Sequence, residues 1–116
     1  LTSTSEERMH NDLLIQGNIG DVVVHYAKNA QTAGLDGVVC SPLEAGMVKE
    51  ACGTDFYTVT PGIRFADGVV GDQVRITTPA KAREIGSDFI VVGRPITAAE
   101  DPVAAYQRCV AEFCNC

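Results

Sequence analysis

Two apolar runs in this chain each deliver an arginine just beyond their carboxyl ends. Thr58-Val59-Thr60 continues into Pro61-Gly62-Ile63-Arg64, and Ile90-Val91-Val92 continues into Gly93-Arg94-Pro95. A third polar cluster, Asp72-Gln73-Val74-Arg75, lies between them. A planar guanidinium pairs bidentately with phosphate oxygens, and glycine lets backbone N–H groups come close to an anion. The chemistry suggested is therefore the holding of a phosphate. An arginine directly after a buried strand and a glycine favours a ligand over a surface ion pair at Arg94. For Arg64 the two readings balance, and Gln73 alone reads as a solvent-facing loop residue.

Other chemistries have less to stand on. Cys40, Cys52, Cys109, Cys114 and Cys116 form an odd set without a Cys-x-x-Cys pair or a histidine at ligand spacing, so no metal site and no disulfide framework is expected. Reduced thiols are the default, and Cys114-Asn115-Cys116 is given no role. His10 and His25 read as bland, with His25 inside an amphipathic helix. Asp36 and Asp88 precede strands, at the end of such a sheet associated with stability rather than chemistry. Glu6, Glu7, Asp12 and Asp21 read as solvated charges or helix amino-terminal acids.

The elements that must position the arginines are legible from turn chemistry. Gly37–Cys40, Phe56–Thr60 and Phe89–Gly93 are short, continuously apolar runs, the pattern of parallel strands buried on both faces. Ser41-Pro42, Thr78-Pro79 and Asp101-Pro102 each place a side-chain acceptor at a helix N-cap and proline in the first turn. Ser41 and Glu44 also fit a capping box. The helices predicted are Pro42–Cys52, Pro79–Ile85 and Pro102–Asn115, with an earlier one from Ile19 to Ala33 ending at Gly34. Strand and helix alternate, which predicts one parallel sheet with helices outside it. The stretch from Pro61 to about Thr77, with Gly62, Gly68 and Gly71, is longer than a tight connection needs and is expected to be a mobile ligand loop. Leu1-Thr2-Ser3-Thr4 reads as the tail of a strand, so the chain is expected to be a fragment holding about four βα units with exposed sheet edges.

The 116 residues, 46% hydrophobic and 21% charged, fit one small globular domain spanning 1–116. A formal net charge of −6 argues against a nucleic-acid partner. No apolar run approaches the ~20 residues of a membrane helix. A soluble, cytoplasmic protein is the expectation.

In order along almost the whole chain, Leu1-Thr2-Ser3, Gly34-Leu35-Asp36-Gly37-Val38-Val39-Cys40-Ser41, Val59-Thr60-Pro61-Gly62-Ile63-Arg64, Gly71-Asp72-Gln73 and Val91-Val92-Gly93-Arg94-Pro95-Ile96-Thr97 resemble the carboxyl-terminal half of bacterial orotidine 5'-phosphate decarboxylases. The resemblance implies a (β/α)8 TIM barrel, here its last four or so βα units, in a homodimeric enzyme of pyrimidine biosynthesis that uses neither metal nor organic cofactor. It implies that Thr2, with Ser3 as a possible companion, ends the fifth barrel strand near the pyrimidine. It puts Arg64 and Gln73 beside the loop over the phosphate of orotidylate or uridylate, and Gly93 and Arg94 on phosphate oxygens at the end of the last strand. Decarboxylation in that family leaves a ring carbanion that a lysine protonates, within an alternating Lys and Asp network in an Asp-x-Lys-x-x-Asp motif. Nothing here matches that motif. Lys28, Lys49 and Lys81 all fall inside predicted helices, so no catalytic residue is assigned and the chain is expected to be inactive without the missing amino-terminal half.

Two alternatives stand beside this reading. One is a sugar-phosphate decarboxylase of the same superfamily, which the Thr-Pro-Gly-Ile-Arg segment and the Asp-Gln pair disfavour. The other is a non-catalytic nucleotide- or phosphate-binding half-barrel that associates with itself through its exposed edges.

Overall fold

Each of the three proline-marked caps starts a helix. The computed structural model describes residues 1–67 and 77–114. Along them run α1 (Glu6–Asn11), α2 (Ile19–Thr32), β1 (Gly37–Val39), α3 (Pro42–Cys52), β2 (Tyr57–Thr60), α4 (Pro79–Ile85), β3 (Phe89–Ile90), α5 (Arg94–Thr97) and α6 (Pro102–Phe113). Thr78 Oγ1 accepts the Lys81 N–H at 3.1 Å and Asp101 Oδ1 accepts the Ala104 N–H at 3.1 Å, satisfying donors that a helix start leaves orphaned. At α3, Ser41 Oγ accepts from Leu43 N–H at 3.4 Å, one residue short of the capping-box position. Gly53 and Gly86 close α3 and α4 with φ of 98° and 105°.

The strands form one parallel sheet in the order β1-β2-β3. Val39 stands opposite Val59, and Val59 opposite Phe89. Gly37 is needed for this pairing, because a Cβ there would lie 2.3 Å from the Tyr57 carbonyl oxygen. On one face of the sheet, Cys40 and Phe56 pack with Val23 and Ala27 of α2 and Ala45 and Val48 of α3 to form the core. Thr58 and Thr60 are buried beside them, and Thr60 Oγ1 and Ser87 Oγ share a hydrogen bond of 2.8 Å.

Four expectations need correction. The strands are not buried on both faces: Val39 is 64% exposed, and Tyr57, Phe89 and Val91 on the same side are about half exposed. An apolar run tells only that both sides can be covered, and among the described residues the core cluster and its helices lie on one. Leu1–Thr4 is a turn closed by Thr4 N–H to Leu1 O at 3.2 Å and not the tail of a strand. The last strand ends at Ile90, the ladder continues through Val91 N–H to Thr60 O at 3.0 Å, and α5 then begins at Arg94. Finally, α1 was not expected; Glu6 and Glu7 stand in its first turn as helix amino-terminal acids, and Glu6 Oε1 also accepts the Ile19 N–H at the start of α2 at 2.7 Å.

Candidate functional site at the carboxyl ends of the strands

Parallel strands aim their carboxyl ends at one edge of the layer, and the chain segments leaving β1 and β2 meet there. Ser41 and Pro42 follow β1, Pro61 and Gly62 follow β2, and Gly62 adopts φ of 80°, a conformation glycine takes at no steric cost. The next residue, Ile63, is fully buried and pairs in parallel with Thr77 across an isolated bridge. Arg64 is thereby fixed at its backbone, its N–H donating to Thr77 O at 3.0 Å. Its guanidinium Nη1 donates to the Ile63 carbonyl at 2.8 Å.

A cavity of about 350 Å³ opens at this edge, lined by Thr2, Ser3, Ser41, Pro42, Leu43, Pro61, Gly62, Arg64 and Thr77. Three residues singled out from sequence, Thr2, Ser3 and Arg64, thus come together although they are far apart in the chain. Ser41 and Thr77 join them, and neither was singled out from sequence as a ligand-binding residue. Ser41 was explained as a cap, and Thr77 lacked any motif of its own; their position immediately past a strand or beside a helix start was the available signal. Chemically, hydroxyls and one guanidinium around a space of this size suit a polar, anionic ligand.

Gly93 and Arg94 do not line that cavity. They follow β3 at the same edge of the sheet, where Gly93 caps α5 and its carbonyl accepts from Ile96 and Thr97 N–H at 2.9 and 3.0 Å. A Cβ on Gly93 would meet nothing within 4 Å, so the space beside this backbone is open. Arg94 is exposed and makes no ion pair among the described residues. Gln73, with Asp72, lies outside the described residues.

The lysines are placed elsewhere. The Lys49 ammonium donates to the carbonyls of Thr54 and Phe56 at 3.0 and 2.8 Å and pairs with Asp88. These groups precede β2 and β3, so Lys49 sits at the opposite end of the sheet from Arg64. The Asp88 carboxylate also accepts Thr58 N–H at 2.9 Å. Burial pushes the Asp88 carboxyl up, but the hydrogen bonds from Lys49 and Thr58 outweigh it and leave the group below the usual carboxylate range. Lys81 is exposed and pairs with Glu84 at 3.6 Å on its own helix.

Cys40, Cys52, Cys109 and Cys114 carry free thiols. Burial, with the charge of Glu44 adding to it, pushes the Cys40 thiol up to about 11, which makes it a poor nucleophile. Among the described residues no group of three or more His, Cys, Asp or Glu could hold a metal ion. None of the described helices is long and apolar enough to cross a membrane.

Parallel βα units with a hydroxyl- and arginine-lined cavity past their strand ends are of the α/β class, in which the carboxyl edge of the sheet is the usual place for a ligand. The family model "Orotidine 5'-phosphate decarboxylase / HUMPS family" matches residues 1–109, and the chain belongs to that family. It is 60% identical over 113 residues to the orotidine 5'-phosphate decarboxylase of Streptococcus mutans, covering 97% of this chain and 49% of the relative. It is 62% identical over 108 residues to that of Enterococcus faecalis, covering 93% of this chain and 46% of the relative. Among solved structures, the orotidine 5'-phosphate decarboxylase of Lactobacillus acidophilus superposes with a TM-score of 0.82 at 45% identity, over 98% of this chain and 46% of the other. The chain spans about half the length of the curated relatives it matches.

Proposed function

We propose that this chain is the carboxyl-terminal half of an orotidine 5'-phosphate decarboxylase, and that it supplies phosphate and base contacts to the conversion of orotidylate into uridylate and carbon dioxide. The observation that carries this reading is the convergence of Thr2, Ser3 and Arg64 on one cavity past the strand ends. Thr2 and Ser3 offer hydroxyls to the base, Arg64 a guanidinium to the phosphate. Arg94 and the Gly93 N–H offer a second phosphate contact after β3, with Gln73 bridging phosphate and base. Phosphate binding remote from the scissile bond then contributes to catalysis by ordering the site around the pyrimidine.

The proton that quenches the ring carbanion has to come from outside this chain. Lys49 is committed to Asp88 and two carbonyls at the far end of the sheet, Lys81 lies on the outer helix layer, and Lys28 is exposed on α2. The amino-terminal half is the proposed source of the Lys and Asp network and of the cover for the exposed sheet face of Val39, Tyr57, Phe89 and Val91. Assembly as a homodimer and residence in the cytoplasm belong to the same proposal.

A second reading, a non-catalytic nucleotide-binding half-barrel that self-associates, is favoured by that same uncovered face. Decarboxylation of orotidylate separates the two, measured with the purified chain alone and after adding the amino-terminal half. Activity only on addition supports the decarboxylase; uridylate binding without restored activity supports the second reading. Activity of the chain alone would refute the assignment of the proton donor.

A further inference from the structure

Arg64 is followed at once by a segment that another helix holds. Arg108, on α6, places its guanidinium carbon 4.1 Å from the centroid of the Phe65 ring. Its Nη1 pairs with Asp67 Oδ1 at 2.9 Å, and its Nε donates to Glu112 Oε2 at 2.8 Å, one helical turn further on. One cation therefore has three partners. Glu112 holds it from its own helix, the Phe65 ring lies beneath its central carbon, and Asp67 pairs with its Nη1. The hydrogen bond from Arg108 draws the Asp67 carboxyl below its ordinary range, as expected for a group held in its charged form.

Exposed ion pairs taken singly contribute little. What matters here is geometry, because a guanidinium can stack and bond in its plane together, which an ammonium cannot. On the other side, Arg64 is tied through its N–H to Thr77 and through Ile63 to the same bridge. Two anchors thus bracket it, one at the sheet edge and one on the last helix.

We infer that Arg108 is a positioning residue for Arg64: by gripping Phe65 and Asp67 it sets the direction in which the Arg64 guanidinium meets a phosphate. This rests on the reading of Arg64 as a phosphate ligand. Nothing in the sequence distinguishes Arg108 from any other solvent-facing arginine on an amphipathic helix.

The test uses Arg108→Gln and Asp67→Asn in the full chain, first by amide hydrogen exchange. The Arg64 N–H, bonded to Thr77 O, should lose protection by about fivefold in Arg108→Gln, while the Cys40 N–H, bonded to Val59 O, keeps its own. Titration with uridylate and with uridine follows. Uridylate affinity should fall by about fivefold, roughly 1 kcal/mol, with uridine affinity unchanged and the double variant no weaker than Arg108→Gln. Unchanged exchange at Arg64, unchanged uridylate affinity, equal loss for both ligands, or additive effects of the two substitutions would each overturn the inference. Arg64→Ala separates it from its basis. If that variant, too, binds uridylate as the parent does, or if the parent binds none, the phosphate reading falls; if Arg64→Ala weakens binding and Arg108→Gln does not, only the role of Arg108 falls.

Discussion

Replacing Lys49 by methionine tests whether this lysine belongs to the scaffold or to the chemistry. The substitution keeps most of the aliphatic volume and removes the ammonium. Three partners then lose a donor: the carbonyls of Thr54 and Phe56 and the Asp88 carboxylate. Breaking a fully buried ion pair costs about 3–5 kcal/mol and an exposed one up to about 1 kcal/mol. The Lys49 and Asp88 side chains are 14% and 29% exposed, nearer the buried limit but still wetted. Asp88 also keeps the Thr58 N–H, which leaves its charge partly compensated. The part-buried Phe56 carbonyl adds about 1 kcal/mol when it loses its donor. Together these give a destabilisation of about 2–3 kcal/mol, read as a lower denaturant midpoint at unchanged m-value. Uridylate affinity, measured where the variant is still folded, should stay within about twofold because the pair lies at the opposite end of the strands from Arg64. A stability loss under about 0.5 kcal/mol would refute the energetic reasoning, which treats the pair as buried. A tenfold loss of uridylate affinity would refute the spatial reasoning.

Asp88 also sets an acid limit. Its folded-state pKa lies below the ordinary value, so the stabilisation is complete above about pH 4, where the unfolded carboxyl titrates, and is lost as pH falls through the lower folded value. Denaturation midpoints should therefore drop on acidification below about pH 4 in the parent and drop less in Asp88→Asn; equal slopes would exclude Asp88 as the group responsible. Arg94→Ala should weaken uridylate by about 1.5–3 kcal/mol, the range of a charge-assisted contact, with the melting temperature unchanged because Arg94 is exposed. Equal affinity in calorimetric titration would reject Arg94 as a phosphate ligand.

Local chemistry explains what could be read from sequence. Pro42–Cys52 and Pro79–Ile85 are bounded as expected, since a hydroxyl followed by proline marks one end and glycine the other. The six residues of α1 are too few to show a period, although Ser5 accepts the Arg8 N–H as a cap should. Helix α5 has Gly93 at its N-cap and therefore no side-chain cap, and its first-turn Pro95 lacks the preceding hydroxyl or carboxylate that marks α3, α4 and α6. Burial of the strands was misjudged because Val39 and Phe89 are apolar whatever covers them. At the site, the strand-to-loop order placed Arg64 at the right edge, while its meeting with Thr2, Ser3, Ser41 and Thr77 is a property of the sheet that no local motif encodes. The grip of Arg108 on Phe65 is likewise tertiary, spanning more than forty positions of chain.

The open side of the sheet carries an optical consequence. Tyr57 on β2 and Phe89 on β3 meet edge to face there, their ring centroids 5.7 Å apart. The chain has no tryptophan and only three tyrosines, Tyr26, Tyr57 and Tyr106, all of them exposed. Its tyrosine emission therefore originates at the surface, and an object that settles over β2 and β3 would change that of Tyr57 directly. The protein carries its own reporter for whatever comes to lie against its strands.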